Sequence, residues 1–325
     1  MHHALHQPVL LEATIAALGV DPCGCYLDAT FGRGGHAVAI HARLGSEGRL
    51  IAIDRDPQAV AYGRSLAWQR DDGRPAARVD LMQSRFAQIA AVLNRLEVPA
   101  LDGVLFDLGV SSPQLDDPAR GFSFRHDGPL DMRMNPNEGI SARQWLLQAE
   151  VEELTAVLQS NGEERHARAI AQAIQDHRER FGDQALRSTG ELAELVRKVL
   201  RRKARGRDEA KDPATRSFQA IRMQVNQESA ELDAGLEAAR ECLKPGGVLA
   251  VISFHSLEDR RVKHYLAQAS GARAKTDPVT GVPERRDWPF EAPQRVLADA
   301  LEVERNPRAR SAVLRYARKR HDPGR

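Results

Sequence analysis

Apolar and polar positions alternate between two rhythms in the first hundred residues. Cys25 to Ala29 is a short apolar run, followed by a glycine-rich turn at Gly32 to Gly35 and a helix-spaced stretch from Ala37 to Leu44. Arg49 to Ile53 is a second run, and Pro57 sits where a following helix would place its first residue. Val79 to Met82 and Gly103 to Leu108 read as a third and a fourth strand. Strands separated by helical segments predict an α/β architecture: a mostly parallel sheet covered by helices.

The alternation then stops. The next strong strand, Val248 to Phe254, follows the turn Lys244-Pro-Gly-Gly247 and lies about 140 residues beyond the fourth. A crossover needs only some 10 to 12 residues, so a domain is expected inside this gap. Its pattern is helical: Trp145, Leu146, Val151, Leu154, Val157 and Leu158 recur at three- and four-residue spacing, as do Ile170, Ile174, Leu192, Leu195, Val196 and Val199. The charged stretch Lys203 to Asp212 marks its exit. One long amphipathic helix, with Phe218, Ile221, Val225, Leu232, Leu236 and Leu243 on a stripe, then returns the chain to the sheet. The expected organisation is a discontinuous domain of residues 1–112 and 213–325, interrupted by a helical substrate domain of residues 113–212. Ala272 to Glu291 reads as an exposed loop, and Ala312 to Ala317 as a final strand.

Composition narrows the class. The chain has 325 residues, 42% hydrophobic and 28% charged, which is a globular balance. Three cysteines, Cys23, Cys25 and Cys242, give neither a disulfide framework nor a zinc spacing, so no structural metal is expected. No apolar run approaches a membrane span, and Met1 to Leu11 lacks a signal-peptide core. The expected location is the cytoplasm. A formal charge of +2 hides clustering: residues 197–211 carry eight Lys or Arg against two acids, and residues 305–325 carry eight against one. Such segments can contact phosphates without reading sequence.

The chemistry concentrates at strand ends. The first strand closes on Asp28-Ala-Thr-Phe-Gly32-Arg-Gly34-Gly35-His36, and the second on Asp54-Arg-Asp56-Pro57. Glycines allow close backbone approach, and an acid about 20 residues later is placed to accept from a ribose diol. This is the layout of a nucleoside-containing cofactor. The order G-x-G-G with Asp28 beside it departs from the dinucleotide fingerprint and disfavours a nicotinamide-dependent oxidoreductase. A carboxylate there repels a pyrophosphate and suits the ammonium and sulfonium of S-adenosylmethionine. Phe86, after the third strand, stands where an adenine would lie or where the core would claim it. His255-Ser-Leu-Glu258-Asp259 ends the fifth strand; a helix cap by Ser256 explains these residues more simply than a metal or a general base.

Several segments together resemble the bacterial 16S rRNA (cytosine-N4) methyltransferases of the RsmH or MraW type. They are His6-Gln-Pro-Val-Leu-Leu11, Asp28 to His36, Asp102 to Asp116, Arg120-Gly-Phe-Ser-Phe124 and Gly128 to Met134. Gly162-Glu-Glu-Arg165, Pro213 to Gln219, Val251 to Asp259 and Asn306 to Ser311 continue the series in order. The resemblance implies a class I S-adenosylmethionine-dependent methyltransferase fold with an inserted helical domain. It also implies transfer of a methyl group to the exocyclic N4 of one cytidine in the decoding region of 16S rRNA, within the small ribosomal subunit. Carried over by position, the cofactor contacts fall on Gly34, Gly35, His36, Asp54, Phe86, Asp107 and Gln114, with Asp28 added from its place at the strand end. Asp212 stands where the family often has His before Pro-Ala-Thr-Arg.

Asp107 to Pro113 occupies the position of the Asp/Asn-Pro-Pro-aromatic loop of other amino-methyltransferases, but lacks its double proline and aromatic. Candidates to accept a hydrogen bond from the cytosine amino group are Asp107, Ser111, Ser112 and the main-chain carbonyls from Gly109 to Ser112. Asp107 serves equally well as an anchor for the methionine ammonium. An unstacked base is held by aromatic stacking and edge hydrogen bonds, for which Arg120, Phe122, Phe124 and His255 are the candidates. A catalytically silent RNA-binding assembly factor on the same fold is the alternative.

Overall fold

Strands and helices follow from where the apolar runs can be covered. The computed structural model describes residues 8–69, 73, 75–203, 212–272 and 288–321. Helix α1 (Leu11–Leu18) precedes β1 (Cys25–Asp28), α2 (Gly35–His41), β2 (Arg49–Asp54), α3 (Pro57–Ser65), β3 (Arg78–Gln83), α4 (Ile89–Arg95) and β4 (Leu101–Asp107). Six helices come next: α5 (Ser112–Asp116), α6 (Ala142–Gln148), α7 (Val151–Gly162), α8 (Ala167–Phe181), α9 (Thr189–Lys203) and α10 (Thr215–Asn226). The chain closes with α11 (Glu228–Cys242), β5 (Leu243–Ser253), α12 (Ser256–Ala269), β6 (Gln294–Leu297), α13 (Ala300–Arg305) and β7 (Val313–Arg318). The segments 204–211 and 273–287, expected to be an exit and a loop, lie outside the described residues.

The seven strands form one sheet in the order β3-β2-β1-β4-β5-β7-β6. The first five are parallel, and β7 runs antiparallel to both β5 and β6. This is the class I methyltransferase sheet. The order reverses between β1 and β4, the position where open parallel sheets bind ligands at their carboxyl ends. Both sheet faces are covered, which is why the strands read as unbroken apolar runs. On one face Leu27, Ile51, Val104, Phe106 and Val251 meet Ile89, Leu93, Leu232, Leu236 and Leu266. On the other, Tyr26, Leu50, Leu105, Ala250 and Ile252 meet Ile15, Leu18, Ala37 and Ile40. Successive residues of one strand thus serve opposite faces.

Two compact units result: residues 1–109 with 230–325, and residues 110–229. The sequence expectation returned the chain to the first unit at residue 213, but the second unit extends through Ser229. The reason is packing, because Phe218, Ala220 and Ile221 of α10 share a core with Leu154, Leu158, Ile170 and Val196. The expected single long helix is also two. Gln227 adopts the left-handed region at φ 53, ends α10, and lets α11 start at Glu228. No glycine or proline announces this break. Strand β6 was not anticipated from sequence; it is short, largely exposed and polar at its start.

Within the second unit, Asn226 is 1% exposed. Its amide donates to the carbonyls of Met132 at 2.7 Å and Arg222 at 2.9 Å, and its oxygen accepts from Met134 N at 2.8 Å. Removing it leaves these backbone groups without their side-chain partner. Asn226→Ala is expected to lower the free energy of unfolding by about 1 to 3 kcal/mol, measured by urea denaturation of the full chain; an unchanged midpoint would contradict this role.

Candidate active site

The turn after β1 is pinned to both neighbouring strands. Ala29 N donates to Leu105 O on β4, and Phe31 N donates to Ile53 O on β2. Asp28, 1% exposed, accepts from Thr30 N at 2.9 Å and from the Thr30 hydroxyl at 3.3 Å. That hydroxyl in turn accepts from Asp107 N at 2.6 Å. Thr30 therefore bridges the ends of β1 and β4. Gly34 has φ 76, and a Cβ there would stand 2.7 Å from the Phe31 ring, so only glycine fits.

Asp54 ends β2. Its carboxylate accepts from Gly32 N and from Asp56 N, both at 2.7 Å. Asp56 caps α3 through Gln58 N, with Pro57 at the first helical position. Asp107 ends β4. One of its oxygens lies 3.4 Å from His36 Nδ1, and the other, Oδ1, is buried without a hydrogen-bond partner among the described residues. His36 is 4% exposed, and its Nε2 donates to Val9 O at 3.1 Å. The carbonyl can only accept, so Nε2 carries a proton. Burial pulls the imidazole pKa down, but the hydrogen bond and charge of Asp107, with the charge of Asp28, outweigh it and hold the pKa above its ordinary value.

Burial dominates the two strand-end acids. It pushes Asp28 up to about 6 against the charge of His36 and the Thr30 hydrogen bonds. It pushes Asp54 up to about 7 against the hydrogen bonds from Asp56 and Gly32. Three carboxylates and one histidine thus gather where the strand order reverses, and one buried carboxylate oxygen is left to accept.

The MraW methylase family profile matches residues 3–320. The chain belongs to that family. A Burkholderia mallei (strain SAVP1) protein named ribosomal RNA small subunit methyltransferase H is 50% identical over 317 residues, covering 96% of each chain. A Burkholderia pseudomallei (strain K96243) protein of the same name is 49% identical over the same length and coverage.

Of the residues singled out in this family member, Asp28, Gly34, Gly35, His36, Asp54 and Asp107 come together at the ends of β1, β2 and β4. Phe86 follows β3, partly buried, with its ring edge-on to Phe106 at 5.1 Å. Asp28 is nearly enclosed, and its Oδ1 accepts both Thr30 hydrogen bonds, so it braces the turn that carries the site. The sequence reading missed Thr30. An acid two residues before a threonine at a strand end is the local signature that could have marked it.

His255 is the N-cap of α12, accepting from Glu258 N at 3.4 Å, where Ser256 was expected. Its Nε2 lies 3.1 Å from Glu258, whose other oxygen accepts from Phe254 N at 3.0 Å. Ser111, Ser112 and Gln114 belong to the second unit. There Gln114 accepts from Ser111 N at 2.9 Å and caps α5. Arg120 is 6% exposed and donates to the carbonyls of Arg133 and Met134. A guanidinium held this way braces a loop and is not displayed to a phosphate. Phe122 is buried, and Phe124 packs on Phe218 at 4.7 Å, so both join the core instead of offering a stacking face.

The raised acids set a pH dependence. A carboxyl whose folded pKa exceeds its unfolded value binds its proton more tightly when folded, so stability falls as pH rises between the two. Asp54 contributes stability below about pH 4 that is lost as the pH climbs to about 7. Urea unfolding of the wild type is expected to weaken across that window more steeply than that of Asp54→Asn; parallel profiles would refute the assignment.

Proposed function

We propose that the chain transfers a methyl group from S-adenosylmethionine to small-subunit rRNA, at the exocyclic N4 of one cytidine in the decoding region of 16S rRNA. The observation carrying this reading is the acid-rich end of a class I sheet, with the unpartnered Oδ1 of Asp107, in a member of the MraW methylase family. The names of the Burkholderia relatives support the rRNA substrate. The residues fit the cofactor, because buried carboxylates favour a ligand that is cationic and rich in hydrogen-bond donors.

When bound, S-adenosylmethionine supplies an electrophilic methyl group on a sulfonium. Asp54 would accept from the ribose hydroxyls, held in register by Gly32 N and Asp56 N. Gly34 gives the backbone a surface that no side chain obstructs. Cytosine N4 is a weak nucleophile because its lone pair is delocalised into the ring. An acceptor that takes a hydrogen bond from the amino group makes the nitrogen more pyramidal and stabilises the charge developing on it. Asp107 Oδ1 is the acceptor assigned to that role here. His36 and Thr30 fix its position from two sides, so little reorganisation accompanies the reaction. Alignment supplies a large part of the remaining acceleration, up to about 7 to 11 kcal/mol in favourable intramolecular cases.

Small subunits from cells lacking this protein, incubated with it and S-adenosylmethionine, are expected to gain N4-methylcytidine at one site, mapped by nucleoside mass spectrometry. A methyl group on a ring carbon or ribose oxygen would overturn the reading, and binding without turnover would make the protein an assembly factor. Asp54→Ala is expected to weaken cofactor binding about 10- to 100-fold, the cost of losing charge-assisted hydrogen bonds. Wild-type affinity should rise with pH through about 7, because the diol binds the ionised carboxyl, and Asp54→Asn should flatten that rise. Asp107→Asn is expected to slow single-turnover methylation at saturating cofactor; a normal rate would remove Asp107 from amino-group activation.

A further inference from the structure

A cleft of about 400 Å³ opens at the free edge of the sheet, lined by Arg64, Leu81, Met82, Gln83, Arg95 and Leu96. Strand β3 pairs with β2 on one side and with no strand on the other among the described residues. Arg64 lies in the last turn of α3, which packs on one sheet face through Ala59. Arg95 ends α4, which packs on the opposite face through Ile89 and Val92. The two guanidinium groups therefore flank the bare edge strand from opposite sides. Both arginines are exposed, and among the described residues neither has an ion pair or hydrogen bond. Between them lie partly buried apolar side chains and the exposed amide of Gln83.

We propose that this cleft binds a phosphodiester segment of the rRNA outside the reacting nucleotide, a reading that rests on the rRNA substrate proposed above. Two uncompensated arginines with apolar ground between them suit an unpaired nucleotide, phosphate to guanidinium and base to the Leu81, Met82 and Leu96 surface. The volume is that of a small-ligand cleft, about 300 to 1,000 Å³, which favours one or two nucleotides over an extended peptide. Its position serves the substrate. Gln83 is the register partner of Asp54, so the cleft's upper end stands one strand away from the crevice.

Several cations of the runs that stand out in the sequence are occupied among the described residues. Arg197 pairs with Asp212, Arg201 with Glu194 and Arg315 with Asp259. Lys319 donates to the carbonyls of Arg240 and Leu243. Arg64 and Arg95 belong to neither run and, among the described residues, keep their charge uncommitted.

The test compares wild type, R64A/R95A and R64K/R95K as full-length chains. Affinity for small subunits from cells lacking the protein is measured across a salt series, beside turnover, cofactor affinity and binding of polyglutamate. The alanine pair is expected to weaken subunit affinity about 3- to 30-fold, the worth of two partly exposed ion pairs. It should flatten the log-log salt slope by about 1.4, the value for two single-strand phosphate contacts. Cofactor affinity should stay unchanged, and the lysine pair should recover most of the loss. Equal affinities and slopes would overturn the proposal, as would a fall in thermal stability alone, the mark of helix-end cations acting only on their helices. Loss of polyglutamate binding with subunit affinity intact would assign the cleft to an acidic peptide and overturn it as well. Wild-type chain that binds subunits without methylating them would refute the catalytic reading, while the affinity comparison still decides the cleft.

Discussion

The hydroxyl of Thr30 holds together the two strand ends on which the crevice depends. Parallel strands leave backbone groups uncompensated at their carboxyl ends, and the gap is widest where the order reverses. Here Asp107 N finds Thr30 Oγ1, and Thr30 is oriented by Asp28 through both its amide and its hydroxyl. Burying the Asp28 carboxyl is costly, as its raised pKa records. Two local hydrogen bonds and the nearby imidazole of His36 offset part of that cost. The return is a fixed Asp107 backbone, with one carboxylate oxygen facing His36 and the other left free to accept.

That dependence explains why the site contains acids of different exposure doing different work. Asp28 is enclosed and acts through Thr30. Asp54 keeps partial exposure and has two backbone amides to hold its orientation. Asp107 is also partly exposed, with 27% of its side chain accessible. With only His36 as a counter-charge in the immediate group, the crevice favours cationic ligands. A pyrophosphate would face Asp54 and Asp107 with the enclosed Asp28 behind them, so the electrostatics of the folded site run against a dinucleotide.

The sheet was legible in the sequence because strands buried on both faces leave little room for polar residues. Leu50 to Ile53 and Val104 to Phe106 are therefore apolar without interruption. The strand-end acids were legible for the complementary reason, since polar residues closing such runs need a purpose. Thr30 was not, because its role depends on a strand more than seventy residues away. Gln227 was not, because neither composition nor spacing marks a left-handed residue between two helices. Arg120 misled in the opposite direction. An arginine beside two phenylalanines looks like a nucleic-acid contact, yet the fold surrounds it and satisfies its guanidinium with carbonyls.

Charge is where sequence and structure diverge most, and the cause is pairing. A formal total of +2 cannot distinguish cations that neutralise a neighbour from cations that remain available. Counting along the chain improves little, because Arg315 and Asp259 are far apart in sequence and joined in the fold. What decides availability is whether an acid or a carbonyl lies within reach after folding. Arg315 meets that condition because β7 pairs with β5, whose end leads into the acidic first turn of α12. Among the described residues Arg64 and Arg95 meet no acid, because the acid of the edge strand, Asp80, is taken by Arg49 and Arg78. The same topology that gathers acids at the interior switch point therefore leaves arginines uncommitted at the margin. A cationic cofactor and a polyanionic substrate can then be attracted to different places on one sheet.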